Sequence, residues 1–465
     1  MPKMGTILKT GAADEAAEEP PGVATVRSEV EEEPPSLVAA IAKEEEEPPG
    51  SAASNNRTKF FGHIQDELWN DWRWHFRNRI TTVEELNKFI PLSTKEQDHL
   101  KLVTKKYPLS ITPYYLSLIN PYDPDDPIRK EAVPSFSEIA LAGIGYEDPL
   151  EERRYSVVPG LVHRYPDRVL MVLTDLCPML CRHCTRKREW QHGGWVHTPA
   201  EIERMLDYIR KNPLIRDVII SGGDPLTMST HRLEEVISGL RQIQHVEIIR
   251  IGTRCPVVLP QRIDDELCAM LSQYGPIWLN THFNHPREIT PESAKACDKL
   301  LRSGIPVNNQ SVLLKGINDT VETQRKLCQG LLKIKVRPYY LFQCDEVQGT
   351  EHLRTSVETG IKIIEGLRGH TTGLAIPTFV IDLPNGGGKI PIQPDYVLAR
   401  NEDELVLRNY QGRVYHYRNP KGVGPSGNGH KNGKRVETTL WPPRPSRTPA
   451  LTPRDRDENR AVVRS

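Results

Sequence analysis

The 465-residue chain reads as an α/β protein built on a partial (β/α)6 barrel, with a helical N-terminal region and disordered tails. Three observations predict this. From about residue 168, short β-rich runs alternate with amphipathic helical stretches, an order that calls for a parallel sheet. Polar and unusual residues gather where each run ends, as they do at the C-terminal face of βα barrels, where active sites are built. Both ends of the chain change composition to charged, proline-rich sequence.

In chain order, residues 1–57 form an acidic tail rich in Ala, Pro and Glu, with runs Glu31 to Glu33 and Glu44 to Glu47 each followed by Pro-Pro. Such sequence buries too little apolar surface to offset its ordering entropy. Residues 58–155 are predicted helical, because "FFGHIQDELWNDWRWHFRNRI" repeats apolar residues at helical spacing. "TTVEELNKFI" and "TKEQDHLKLV" are each expected to open on a capping Thr with an acidic first turn, and "NPYDPDDP" is a turn cluster. The barrel spans 156–395, with strands in "RVLMVLTD", "DVIISGG", "VEIIRIGT", "PIWLNTHF", "IPVNNQSVLL" and "VRPYYLFQCD". "TPAEIERMLDYIRKN" and "HRLEEVISGLRQIQ" are helices between them. Residues 396–465 are a C-terminal extension, largely a disordered basic tail from about 419.

Lys plus Arg equals Asp plus Glu at 61 each, so no global charge points to nucleic acid or a membrane surface. No apolar run approaches the length of a bilayer span and no signal-peptide pattern opens the chain, so a soluble cytoplasmic protein is expected. Cys255, Cys268, Cys297, Cys328 and Cys344 are scattered through core-like segments, which fits a reducing compartment.

The remaining cysteines, Cys177, Cys181 and Cys184, lie together in "TDLCPMLCRHCTRKR" behind the first strand. A closed zinc site needs four ligands, usually as two pairs, and the chain has no second pair. Three thiolates on an iron-sulfur cube instead leave one iron open to an outside ligand, and an open position implies chemistry. "SGGDP" ends the second strand, where glycines let the backbone come close to a ligand. "VIDLPNGGGKIP" sets Lys389 behind three glycines. A lysine so placed is a turn residue, a phosphate contact, or a Schiff-base partner of pyridoxal phosphate in a loop free to swing.

CxxxCxxC after the first barrel strand resembles the signature of the radical S-adenosylmethionine superfamily. Residues 58–410 resemble the lysine 2,3-aminomutase family within it, through "LVHRYPDRVL", "CPMLCRHCTRKR", "SGGDPL", "IRIGTRCPVVLPQRI", "NTHFNHPREIT", "NNQSVLLKGIND", "RPYYLFQCD", "GLRGHTTG" and "PTFVIDLPNGGGK". The resemblance implies a 4Fe-4S cluster on Cys177, Cys181 and Cys184, with S-adenosylmethionine supported by Ser221, Gly222, Gly223 and Asp224. It implies that pyridoxal phosphate is held by Lys389 with Arg164, Tyr165 and Arg168, whose guanidinium forks suit a phosphate. His282 and Gln310 would stand around the cofactors, Arg186 would pair with the substrate carboxylate, and Asp345 and Asp382 would hold a distal ammonium.

Two carboxylates facing one mouth repel unless a cation sits between them, which by itself argues for a cationic substrate. The activity implied is radical migration of the amino group of lysine to C3, giving β-lysine. Arginine is the alternative, since a guanidinium accepts two carboxylates at least as well, and an aminomutase acting on a lysine of a translation factor is another. A non-catalytic relative is disfavoured by the presence of Lys389, Arg186 and both aspartates. The implied partners are a reductant such as flavodoxin or ferredoxin and a second copy of the chain in a dimer or tetramer, with no nucleic acid and no membrane. Two positions depart from the family pattern. Thr320 replaces a zinc-binding cysteine and no cysteine follows Cys344, so structural zinc is not expected; Phe342 replaces a common Tyr. Lys187 and Arg188 read as solvated or structural charges.

Overall fold

The apolar runs join into one ten-stranded sheet whose order follows the sequence. A computed structural model of the chain describes residues 51–191, 194–418 and 420. The acidic segment 1–50 and the basic segment from 421 lie outside the described residues. The sheet contains β1 (Ser156–Val158), β2 (Leu161–Tyr165), β3 (Arg168–Val172), β4 (Asp217–Ser221), β5 (Ile248–Gly252), β6 (Ile277–Thr281), β7 (Val307–Leu313), β8 (Arg337–Gln343), β9 (Thr378–Leu383) and β10 (Gly388–Pro391).

Strands β3 to β9 pair in parallel, while β1, β2 and β10 add antiparallel strands at the two ends. The six expected strands are thus followed by a seventh parallel one, β9, reached through the helix Val357–Leu367. Side-chain alternation sorts the two faces of the sheet. Val169 and Met171, Val218 and Ile220, and Ile249 and Ile251 are buried in the core, whereas the alternate positions Arg168, Asp217, Ser221 and Arg250 are half-buried. These polar positions share their face of the sheet with Leu170, Ile219 and Ile248.

The crossover helices carry the matching stripe. In Pro199–Lys211, Ile202, Met205, Leu206 and Ile209 are buried, and Thr198 with Glu201 forms a capping box ahead of Pro199. In the N-terminal region Thr82 caps Val83–Asn87 as expected, but Ser93 rather than Thr94 caps Thr94–Thr104, because its hydroxyl is the one that accepts from the Glu96 N–H. The first helix, Ser51–Phe61, begins within the stretch read as acidic tail. Beyond residue 395, β11 (Val397–Arg400), β12 (Glu404–Arg408) and β13 (Val414–Arg418) form a separate antiparallel sheet that the sequence reading did not anticipate. Among the described residues no helix is long and apolar enough to cross a membrane.

A buried charge cluster pins the N-terminal region to the barrel. Glu138 is fully buried and accepts from Arg182 Nε at 2.9 Å, Arg182 Nη2 at 2.6 Å and Lys187 Nζ at 2.8 Å. Lys187 is therefore not solvated; it is 1% exposed and also donates to the carbonyls of Arg182 and Gly349. Arg188 is likewise drawn inward by Glu152 and Asp148. Replacing Glu138 with Gln leaves buried cations without a counter-charge, and removing one partner of a buried pair typically costs about 3–5 kcal/mol. Denaturant unfolding of Glu138→Gln should show a loss of that size, and a loss under about 1 kcal/mol would contradict the role given to this cluster.

Candidate active site

The loops after β3, β4 and β5 are built as one unit. Gly222 has φ +148°, and a Cβ there would collide with the Thr174 carbonyl. A Cβ on Gly223 would collide with the Leu176 carbonyl. The Gly223 N–H donates to Thr174 O at 2.5 Å and the Asp224 N–H to Leu176 O at 2.7 Å. The two glycines are needed, then, because the second loop lies directly on the entrance of the cysteine loop. The Asp224 carboxylate is turned to the third loop, where it accepts from Thr253 Oγ1 at 2.7 Å and the Arg254 N–H at 2.8 Å. Its side chain is a brace between loops, which is a different role from the cofactor contact expected of it.

Each cysteine is met by a cationic residue. Arg79 Nη1 donates to the Cys177 carbonyl at 2.8 Å, Arg254 Nη1 to Cys181 Sγ at 2.9 Å, and the Arg186 backbone N–H to Cys184 Sγ at 3.3 Å. Burial pushes all three thiols above their usual range, Cys177 well above it. Such thiols stay protonated near neutral pH until a metal displaces the proton. Among the described residues no three His, Cys, Asp or Glu side chains form a group suited to one metal ion. In a cube each thiolate holds a different iron, so its ligands need not converge on one point.

Arg186 has a protein partner that sequence reasoning missed. Glu152 accepts from its Nε at 3.0 Å and Nη2 at 2.6 Å, while Nη1 donates to Gly222 O at 2.9 Å and approaches Ser221 Oγ at 3.5 Å. Burial of Glu152 opposes ionisation, but Arg186 and then Arg188 overcome it and hold the carboxyl at about 2. Arg254 was also missed as a site residue; its Nη2 pairs with Glu131 and, at 2.8 Å, with Glu288, and its Nε donates to His282 O at 3.0 Å. Only its position at a strand end hinted at this. His282 and Gln310 are brought together, with the imidazole hydrogen-bonded to the Gln310 backbone and lowered by burial to about 4, hence neutral.

A second group lies where the ends of the sheet approach one another. Arg164 Nε donates to Gly386 O at 2.8 Å, and the Lys389 N–H donates to Tyr165 Oη at 3.2 Å. The glycine stretch is a tight hairpin rather than a free loop, with Gly386 at φ +73° against Tyr155 and Gly388 at φ +88° against Tyr165. It places Lys389 opposite Asp382 across the β9 and β10 pair. Lys389 Nζ lies 3.0 and 2.9 Å from the two Asp382 carboxylate oxygens and 5.2 Å from the centre of the Phe342 ring. Asp345 is close enough to feel both charges. Burial and then Asp382 raise its carboxyl to about 7, against the pull of Lys389, Arg354 and Arg164.

The expected site residues thus fall into a cysteine, Ser221 and Arg186 group and an Arg164, Tyr165, Lys389, Asp345 and Asp382 group. Arg164 Nη2 is buried without a hydrogen-bond partner, a donor suited to an anion. Arg168 lies over the Tyr165 ring at 4.0 Å and pairs with Asp167 at 2.9 Å. Thr320 caps the helix Val321–Lys333 by accepting from the Thr323 N–H at 3.1 Å.

Comparison with known proteins shows the family. Residues 171–327 match the model of the radical SAM superfamily and residues 364–439 that of lysine-2,3-aminomutase. L-lysine 2,3-aminomutase of Clostridium subterminale is 53% identical over 374 residues, covering 80% of this chain and 90% of that protein. The enzyme of the same name from Bacillus subtilis is 49% identical over 78% of this chain and 77% of its own length. Glutamate 2,3-aminomutase of Clostridioides difficile is 46% identical over 75% of this chain and 82% of its own.

The glycine contact yields a direct expectation. Gly222→Ala forces a Cβ into the Thr174 carbonyl and should cost about 2–3 kcal/mol, since strain and overpacking act together. A thermal midpoint equal to that of the parent chain would show that the two loops do not touch as described.

Proposed function

Because this chain belongs to the lysine 2,3-aminomutase family of radical S-adenosylmethionine enzymes, we propose that it moves the amino group of L-lysine from C2 to C3 to give β-lysine. The observation that carries the substrate is a pair of neighbouring carboxylates: Asp382 is paired with Lys389, and Asp345 lies close enough for Asp382 to raise its carboxyl and for Lys389 to pull it down. The family brings a 4Fe-4S cluster and S-adenosylmethionine; pyridoxal phosphate is part of the proposal. Bound together, the cluster and S-adenosylmethionine supply a carbon-centred radical able to take a hydrogen atom, and pyridoxal phosphate activates the migrating nitrogen.

The chain's own residues do the placing. Cys177, Cys181 and Cys184 hold the cluster, and the backbone at Ser221, Gly222 and Gly223 lies beside it for S-adenosylmethionine. Arg164, with its unpartnered Nη2, takes the phosphate of pyridoxal phosphate together with Tyr165 and Arg168, and Lys389 supplies the amine. His282, kept neutral, and Gln310 would stand beside the cofactors. A guanidinium has five N–H donors. Glu152 takes two from Arg186, Gly222 O a third and Ser221 Oγ a long fourth, so one remains for the substrate carboxylate, with Glu152 fixing the plane of the fork.

At the other end, Lys389 is the resident counter-ion of Asp382. Drawn away to serve the cofactor, it leaves two carboxylates facing one another, and the side-chain ammonium of lysine restores the balance. Fixing both ends of the substrate sets C3 beside the radical. A guanidinium satisfies two carboxylates equally well, which keeps arginine as the second reading. We also infer a reducing, cytoplasmic setting, supported by eight unpaired cysteines, an electron donor of the flavodoxin or ferredoxin kind, and assembly into a dimer or tetramer.

Anaerobic incubation with dithionite, S-adenosylmethionine, pyridoxal phosphate and either lysine or arginine should yield β-lysine. β-Arginine without β-lysine would overturn the substrate, and absence of any 5'-deoxyadenosine would overturn the chemistry. Lys389→Ala should abolish the visible absorbance of bound pyridoxal phosphate, and its persistence would remove Lys389 from that role. Acidity gives a further check. With its carboxyl at about 7, Asp345 is mostly neutral at pH 6 and mostly ionised at pH 8. A bound ammonium favours the ionised form, so KM for lysine should fall as pH rises through and above that range, since withdrawal of Lys389 removes a pull that lowers the Asp345 carboxyl. Asp345→Asn should raise KM and flatten the profile; an unchanged profile would separate Asp345 from substrate.

A further inference from the structure

Arg254 stands apart from the groups that meet substrate, yet every face of it is engaged. It is 7% exposed and lies between Cys181 Sγ, 2.9 Å from Nη1, and two carboxylates, Glu131 and Glu288, that are both fully buried and both pair with Nη2. Nε is fixed by the His282 carbonyl at 3.0 Å and the backbone N–H by Asp224 at 2.8 Å. Glu131 itself is held by Asn284 Nδ2 at 2.8 Å, and Glu288 by Tyr115 Oη at 2.8 Å.

Burying three charges costs more than packing the same volume with apolar side chains, so stability alone does not account for them. What the arrangement achieves is orientation. The carboxylates hold the planar fork from behind and leave one Nη group aimed at a single sulfur. Donors to cluster sulfurs and fixed charges near them set the reduction potential of iron-sulfur centres. Reduction adds a negative charge, which a fixed cation in a dry site stabilises.

We propose that Arg254, oriented by Glu131 and Glu288, is a positioning residue that raises the reduction potential of the iron-sulfur cluster through its N–H bond to Cys181. This rests on the reading of Cys177, Cys181 and Cys184 as cluster ligands. Glu131 acts through Arg254 and, as a negative charge, lowers the same potential.

The test is a redox titration of the reconstituted full chain, without S-adenosylmethionine, followed by the electron paramagnetic resonance of the reduced cluster at pH 8.5. Arg254→Gln should lower the ratio of reduced to oxidised cluster at a given potential at least tenfold, a shift of about 59 mV to more negative values. Arg254→Lys should recover part of it. Glu131→Gln, which keeps the cation, should shift the midpoint the other way. Opposite signs are a signature that general loosening of the fold does not produce. An Arg254→Gln midpoint equal to the parent's, or the same direction of shift in both variants, overturns the proposal. Should Arg254→Gln fail to hold iron, Glu131→Gln decides alone: a rise supports the proposal and no shift overturns it. Failure of the underlying reading looks different, since the parent chain would then lack about four irons per chain and the resonance altogether.

Discussion

A carboxylate taken out of water must be met by a cation, and that constraint decides how the helical region and the barrel fit together. Glu131, Glu138 and Glu152 all come from the N-terminal region. Each is paired with cations that follow barrel strands: Arg254, then Arg182 with Lys187, then Arg186 with Arg188. Because desolvated pairs tolerate little misplacement, these contacts fix the cysteine loop in position as well as in sequence. The basic run behind the cysteines is therefore an anchor for the loop, with Arg186 turned toward the open side.

The same rule governs the mouth of the site. Asp382 is paired with Lys389, and the neighbouring Asp345 feels both charges. A cation that leaves must be replaced by another. In the proposed function, recognition of a cationic amino acid and handling of the cofactor lysine would be two states of one balance. The hairpin that carries Lys389 sets this up, since antiparallel register puts residues 382 and 389 directly opposite.

Much of this was legible in the sequence because it is local. Alternation in "RVLMV" and "DVIIS" marked strands, and the helical spacing of "TPAEIERMLDYIRKN" marked the helix that Thr198 and Glu201 cap. Long-range pairings were not legible. Arg254 and Glu131 are 123 residues apart, and no local period joins them. The run before the glycines was read as strand-like but was left out of the six-unit count, and it is the seventh parallel strand. The sheet of β11 to β13 is largely exposed, so its strands carry no clean apolar alternation to read. Glycines 222 and 223 were assigned to ligand approach, and the chain itself, at Thr174 and Leu176, is a close neighbour that this reading did not foresee. A glycine reports that something is near and does not say what.

The charge balance at Asp345 and Asp382 is the centre of the proposed function, and a relative at 46% identity is named for glutamate. The most direct measurement is kcat/KM for lysine against glutamate under identical anaerobic conditions. Placing a third carboxylate against that pair should cost at least about 3 kcal/mol, so lysine should be favoured by at least about a hundredfold. Comparable turnover of glutamate would contradict the assignment of the two aspartates as the cation site.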